Sequence, residues 1–227
     1  MKIRIGLGSI GGLMLGVLLA GCAITPEPLQ ASSFMPAGGE VAPPYGFIGF
    51  CLRNVTDCEG GTDVLSTPEL TAARWQELNA VNDHVNGLPE IEDRANYSVG
   101  EYWTYPNARG GDCEDLALEK RRELIARGWP ADALLIATGR RADGSMHAVL
   151  VAVTDRGDLV LDNLKWAILS WNEAPYVWKE RQSRERPFMW VGLDGKSPAA
   201  ARMKTPPLGA LPPFFNYARG AVHDRNS

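Results

Sequence analysis

The 227-residue chain has little histidine, with only three residues, and little cysteine, with only four. Four cysteines are too few for a disulfide scaffold, so each can be read singly. It also lacks a surplus of basic charge: 23 Lys and Arg stand against 27 Asp and Glu, for a net charge of −4 and a pI of about 5.5. Without that surplus there is nothing to neutralise a phosphate backbone, which argues against nucleic acid as a partner. There is no internal repeat, no glycine-rich phosphate loop and no long apolar run beyond the first 21 residues. What the chain does have is 45% hydrophobic residues, enough for a sizeable core and too many for disorder.

The first segment reads as an address. Lys2 and Arg4 precede a glycine-rich apolar run that is too short for a confident membrane span and ends in small residues, as an export signal does. Its end, Leu19-Ala20-Gly21-Cys22, resembles the lipobox of bacterial lipoproteins, in which the cysteine is lipidated and becomes the first residue. The expectation is a signal over 1–21, a proline-rich tether over 22–46 and a periplasmic protein anchored to the lipid membrane through Cys22. The tether holds five prolines and few large apolar side chains.

The remaining chain reads as helices followed by strands. Ser66-Thr67-Pro68-Glu69 has a hydroxyl, a proline and an acid in helix-start order, and Gly87 and Pro89 end that helix. Asp93 to Asn107 reads as a loop or short helix. A second helix is predicted from about Asp112 to Arg127, stopped by Gly128. Strands are predicted at Leu134–Thr138, Met146–Thr154, Leu159–Asp162 and Pro187–Leu193, with Asp143-Gly144 and Arg156-Gly157 as turns. Pro206-Pro207 and Pro212-Pro213 mark an irregular tail, 198–227. Helices first and an antiparallel meander after them make an α+β domain, with N-terminal helices packed on an antiparallel sheet.

In an exported protein, Cys51 and Cys58 are close enough to close a small disulfide ring within what reads as a loop; the other reading is two unpaired buried thiols. Cys113 is then the odd cysteine. It stands after two glycines at a helix N-terminus, where unpaired N–H groups and the helix dipole are expected to lower a thiol pKa. A nucleophile needs a base. Among the histidines, His223 lies in the tail and His84 on a polar helix. His147 opens an apolar strand and shares a face with Val149, Val151 and Val153. Asp162 closes the next strand and needs a partner. With Val153 opposite Asp158, Asp162 faces Val149 and becomes a diagonal neighbour of His147; a slip of one residue would break the pairing. The plainer readings are a structural histidine and an aspartate capping a turn.

Gly110-Gly111-Asp112-Cys113-Glu114-Asp115, Met146-His147-Ala148-Val149-Leu150 and Val160-Leu161-Asp162-Asn163 together resemble the bacterial transglutaminase-like cysteine proteinases, which include the LapG-type periplasmic proteases. Tyr102-Trp103 and Arg181-Gln182-Ser183 add to the likeness. The resemblance implies a papain-like, transglutaminase-like core over 47–197 that hydrolyses a peptide bond through a thioester. Cys113 maps to the nucleophile, His147 to the base and Asp162 to its orienter, and Trp103 to an aromatic near the oxyanion site. It also implies calcium on the acids around the cysteine, a surface adhesin as substrate in the cell envelope, and restraint by an inner-membrane receptor for cyclic di-GMP. A lipid anchor departs from that family's usual pattern.

The acids also have a reading of their own. Asp112, Glu114 and Asp115 would oppose a thiolate unless a hard cation such as calcium cancelled their field; alternatively they cap the helix. Two other classes remain open at this point: a cysteine-type peptidoglycan amidase, whose family usually has a small residue where Glu114 stands, and a lipid-anchored binding module that has lost catalysis.

Overall fold

The computed structural model describes residues 34–193. The expected export signal and lipidation site at Cys22, the start of the expected tether and the tail after 193 lie outside the described residues. Among those described, no helix is long and apolar enough to cross a membrane.

The chain forms β1 (Glu40–Val41), α1 (Tyr45–Arg53), α2 (Val55–Cys58), α3 (Ala72–Asn86), α4 (Asp93–Tyr97) and α5 (Cys113–Ala126), then β2 (Leu134–Arg140), β3 (Met146–Thr154), β4 (Gly157–Leu161), β5 (Leu169–Ser170), β6 (Val177–Gln182) and β7 (Trp190–Gly192). The seven strands described make one antiparallel sheet in the order β1-β7-β6-β2-β3-β4-β5. α5 packs on β3 and β2, and α3 packs on α5. The helix-facing side of the sheet supplies Ile136, Leu150, Ala152, Leu159 and Leu161 to the main core. Val149, Val151 and Val160 enter a second cluster with Tyr176 and Trp178.

Four sequence expectations change. The tether does not extend to residue 46: Met35 is buried and its N–H donates to Asp158 Oδ2 at 2.8 Å, and β1 pairs with β7. The expected loop around the disulfide is the helix pair α1 and α2. Cys51 and Cys58 are bonded with Cα atoms 5.6 Å apart, and Cys113 is free. The third change is the start of α3, which begins at Ala72 and is capped by Thr71, whose hydroxyl accepts from the Arg74 N–H. Asp155 holds the preceding Pro68–Leu70 stretch out of the helix: its Oδ1 accepts from Leu70 N–H and its N–H donates to Pro68 O. Finally, β6 is an additional strand. Its Glu180, Arg181 and Gln182 are buried but polar, so no apolar alternation marks it. Gln182 Oε1 accepts the Ile136 N–H at 2.8 Å beside the irregularity at Thr138/Gly139.

Lys120 on α5 is 1% exposed, and burial pushes its ammonium down to about 7, with the Asp162 charge opposing. Between pH 7 and the unfolded value near 10.5 the unfolded chain holds the extra proton, so this residue makes stability rise with pH across that window. Lys120→Met keeps the length without the charge. It is expected to stabilise the fold by about 2–4 kcal/mol at pH 6, with a smaller gain at pH 10. Denaturant melts of both proteins at the two pH values check this; a gain that grows with pH would contradict it.

Candidate active site

Two glycines shape the approach to Cys113. Gly110 has φ +111°, and a Cβ there would meet Pro89 O; a Cβ on Gly111 would meet Asp115 Cβ at 2.6 Å. This closeness lets the chain zip: Gly111 N–H donates to Pro89 O and Ile91 N–H to Gly111 O. The zip carries Asp93, at the start of α4, next to Asp112, so that Asp93 N–H donates to Asp112 Oδ2 at 3.2 Å.

Cys113 is the first residue of α5, where backbone N–H groups have no intrahelical acceptor. Its thiol lies against the Ala148 backbone N–H and donates to Glu114 Oε2 at 3.1 Å. The expected lowering of the thiol pKa is not what this environment gives. Burial pushes the thiol well up, and the neighbouring Glu114 charge pushes the same way.

His147 and Asp162 meet as the hairpin register predicts. The ladder runs from Thr154↔Gly157 to Leu150↔Leu161, with Val153 opposite Asp158. Just past its end, His147 Nε2 and Asp162 Oδ1 lie 2.8 Å apart, and both residues are buried. Asp162 Oδ1 also accepts from Leu164 N–H at 2.9 Å, and the Tyr176 hydroxyl donates to Oδ2. Burial disfavours the charged carboxylate, but these bonds, led by that of His147, outweigh it and hold the acid below its usual range. The Tyr176 ring lies against the imidazole, with centroids 5.3 Å apart. Gly139, paired with both His147 and Trp178, makes room: a Cβ there would come within 3.0 Å of Tyr176 Cβ.

The model for bacterial transglutaminase-like cysteine proteinases matches residues 37–198. The chain belongs to that family. This cysteine peptidase also resembles solved structures of Legionella pneumophila LapG. The calcium-bound form is 28% identical, covering 54% of this chain and 72% of that one with a TM-score of 0.46. A second LapG structure is 26% identical over 56% and 72% of the two chains, with a TM-score of 0.45. The EGTA-treated form is 27% identical over 57% and 70%, again at 0.45. No curated protein matches. Family membership favours a peptidase over an amidase.

Within this peptidase, the acids divide into two jobs. Asp93, Asp112 and Glu114 each offer an oxygen, all within 4.8 Å of one another. Asp93 Oδ1 and Asp112 Oδ1 are buried without a hydrogen bond. Burial raises all three carboxyls; repulsion from Asp93 adds to it at Asp112, which reaches about 6, and repulsion from Asp112 adds to it at Glu114. Converging hard oxygens with lone pairs to spare fit a calcium ion. Asp115, expected among the ligands, is not in this cluster. As the third helical residue it reaches back to the Asp112 N–H and accepts the Thr104 N–H at 2.7 Å, a capping role. Its place is taken by Asp93, which lies 19 residues ahead of Asp112 and carries no spacing signal.

The Trp103 ring is buried against Phe47 and Trp190, and its indole N–H donates to Glu101 Oε2 at 3.4 Å. Tyr176 was missed: a lone tyrosine before a polar strand has no sequence signature.

Proposed function

We propose that this peptidase is exported and lipid-anchored, and that it cleaves a cell-envelope protein through Cys113, His147 and Asp162. The observation that carries this is the buried 2.8 Å contact between His147 Nε2 and Asp162 Oδ1, with the one free thiol among the described residues, Cys113, against the backbone N–H of Ala148, the residue after His147. With Nε2 held by the carboxylate, Nδ1 is the ring nitrogen that takes the Cys113 proton. Sγ then forms a bond to the scissile carbonyl carbon, and its oxygen gains the negative charge. The first-turn N–H groups of α5 receive that oxyanion. The imidazolium gives its proton to the leaving amine, the C–N bond breaks and a thioester remains. Water, losing a proton to Nδ1, attacks the thioester and releases the acid and the thiol. Asp162 fixes the tautomer and steadies the imidazolium, and Tyr176 fixes Asp162.

Asp93, Asp112 and Glu114 would hold calcium, as LapG does in its calcium-bound structure. When bound, the ion neutralises the carboxylates that crowd the start of α5. The family resemblance supports a surface adhesin as the substrate and an inner-membrane receptor for cyclic di-GMP as the restraint. The lipobox at Cys22 supports anchoring in the periplasm.

Cys113→Ala and His147→Ala are expected to lower turnover by roughly 10³-fold or more, with the melting temperature holding in Cys113→Ala and falling in His147→Ala, which leaves the buried Asp162 one donor short. Tyr176→Phe, which removes one bond to a charged group, is expected to lower kcat by about 10-fold. Mapping new protein N-termini at the cell surface checks the reaction; equal maps from wild type and Cys113→Ala would overturn it.

Calcium at 100 times its Kd should stabilise the fold by about 2.7 kcal/mol through mass action. Asp93→Asn should abolish most of that gain, whereas Asp115→Asn should lower stability yet keep it. Thermal melts with calcium and with chelator read both; an unchanged response in Asp93→Asn would remove the site. For the anchor, metabolic fatty-acid labelling should mark the wild type and not Cys22→Ser. Equal labelling would refute it.

A further inference from the structure

Tyr176 has a second face. Next to Tyr176 lies a cavity of about 390 Å³, lined by Arg141, Ala142, Leu164, Lys165, Pro175 and Tyr176. It adjoins the reacting groups directly, because two of its residues hold Asp162: Tyr176 through its hydroxyl and Leu164 through its N–H. It is also a built feature. The β2–β3 turn that carries Arg141 is closed by Arg141 N–H donating to Ser145 O at 2.9 Å and Gly144 N–H donating to Arg141 O at 3.0 Å.

Its chemistry is distinctive. Arg141 and Lys165 are exposed cations that line this cavity with Tyr176, whose phenol feels the Arg141 charge. Arg141's ion pair to Asp143 is long, 3.6 Å, and Asp143 already accepts from the Ser145 N–H and hydroxyl, at 2.9 and 2.6 Å. Asp162, the buried carboxylate behind Tyr176, is already engaged by His147, Leu164 and Tyr176. Ala142, Leu164 and Pro175 offer aliphatic contact. The sign of this mouth is opposite to that of the start of α5, which carries Asp112 and Glu114.

We infer that this cavity is a specificity subsite that takes an acidic side chain, Asp or Glu, of the extended protein substrate, with Arg141 and Lys165 as its recognition residues. The inference rests on the peptidase reading above. A glutamate fits the lining well: its methylenes lie along Leu164 and Pro175 while its carboxylate meets the two cations. Two partly solvated ion pairs contribute modestly, so the subsite selects among substrates rather than binding one tightly.

The test uses the mature chain as wild type, as Arg141→Gln with Lys165→Gln, as Arg141→Glu with Lys165→Glu, and as Cys113→Ala. Each digests a synthetic peptide library randomised around its centre, and mass spectrometry reads the cleavage sites. Wild type should enrich Asp and Glu at one fixed position relative to the scissile bond. Matched peptides with Glu or Gln there should differ about 10-fold in kcat/KM, mostly in KM, with the gap shrinking at high salt. The double Gln variant should lose the enrichment while keeping kcat on neutral peptides, and the double Glu variant should favour Lys and Arg instead. Cleavage that depends on Cys113 but shows no acidic preference in wild type, or the same preference in the double Gln variant, overturns the subsite alone. If no wild-type cleavage depends on Cys113, the peptidase reading fails and the subsite fails with it.

Discussion

Everything at this site depends on one contact between two buried side chains, His147 and Asp162, and on the hairpin register that makes it. A strand pair alternates its faces every residue, so a shift of one position would send the imidazole and the carboxylate to opposite sides of the sheet. The short Asp155-Arg156 turn with Gly157 at φ +105° sets the pairing Val153↔Asp158, and the ladder carries it to Leu150↔Leu161. The chain then leaves the ladder at the point where Asp162 can turn toward His147. Gly139 on the neighbouring strand leaves space for Tyr176, whose hydroxyl takes the second carboxylate oxygen. A carboxylate this deeply buried is tolerable only because three donors meet it.

The start of α5 holds the opposite situation. Its acids face one another and the cysteine with fewer donors, and burial raises them instead of lowering them. The same helix start therefore presents a free thiol and a set of carboxylates that resist being charged together. The two glycines explain why the acids converge at all: they let two loops lie side by side, bringing Asp93 to Asp112 across a gap in the sequence. Burial and Glu114 together push the Cys113 thiol well up, which works against a thiolate at rest.

The parts legible in the sequence were those written in local rules. The apolar stretch of β3, the turn at Gly157, the stop at Gly128 and the odd cysteine after paired glycines each have short-range physical causes, and together they located Cys113, His147 and Asp162. What was not legible depends on tertiary contact. Thr71 caps α3 only because Asp155 holds Pro68–Leu70 away from it. β6 is central yet polar, its side chains buried against partners from other elements. Asp93 and Tyr176 owe their places to distant chain segments, and Asp115 looked like a ligand because sequence adjacency does not reveal which way a side chain turns within a helical turn. Trp103 is a core residue whose indole N–H has a local acceptor.

The central claim is that Asp162 holds the Nε2–H of His147 and leaves Nδ1 for the Cys113 proton. Nitrogen NMR of the imidazole rings reads this directly, and with only three histidines the His147 signals can be assigned by one substitution. In the resting peptidase the Nε2 resonance should be that of a protonated nitrogen and the Nδ1 resonance that of an unprotonated one, with the pattern lost in Asp162→Asn. A resting His147 carrying its proton on Nδ1 would contradict the account.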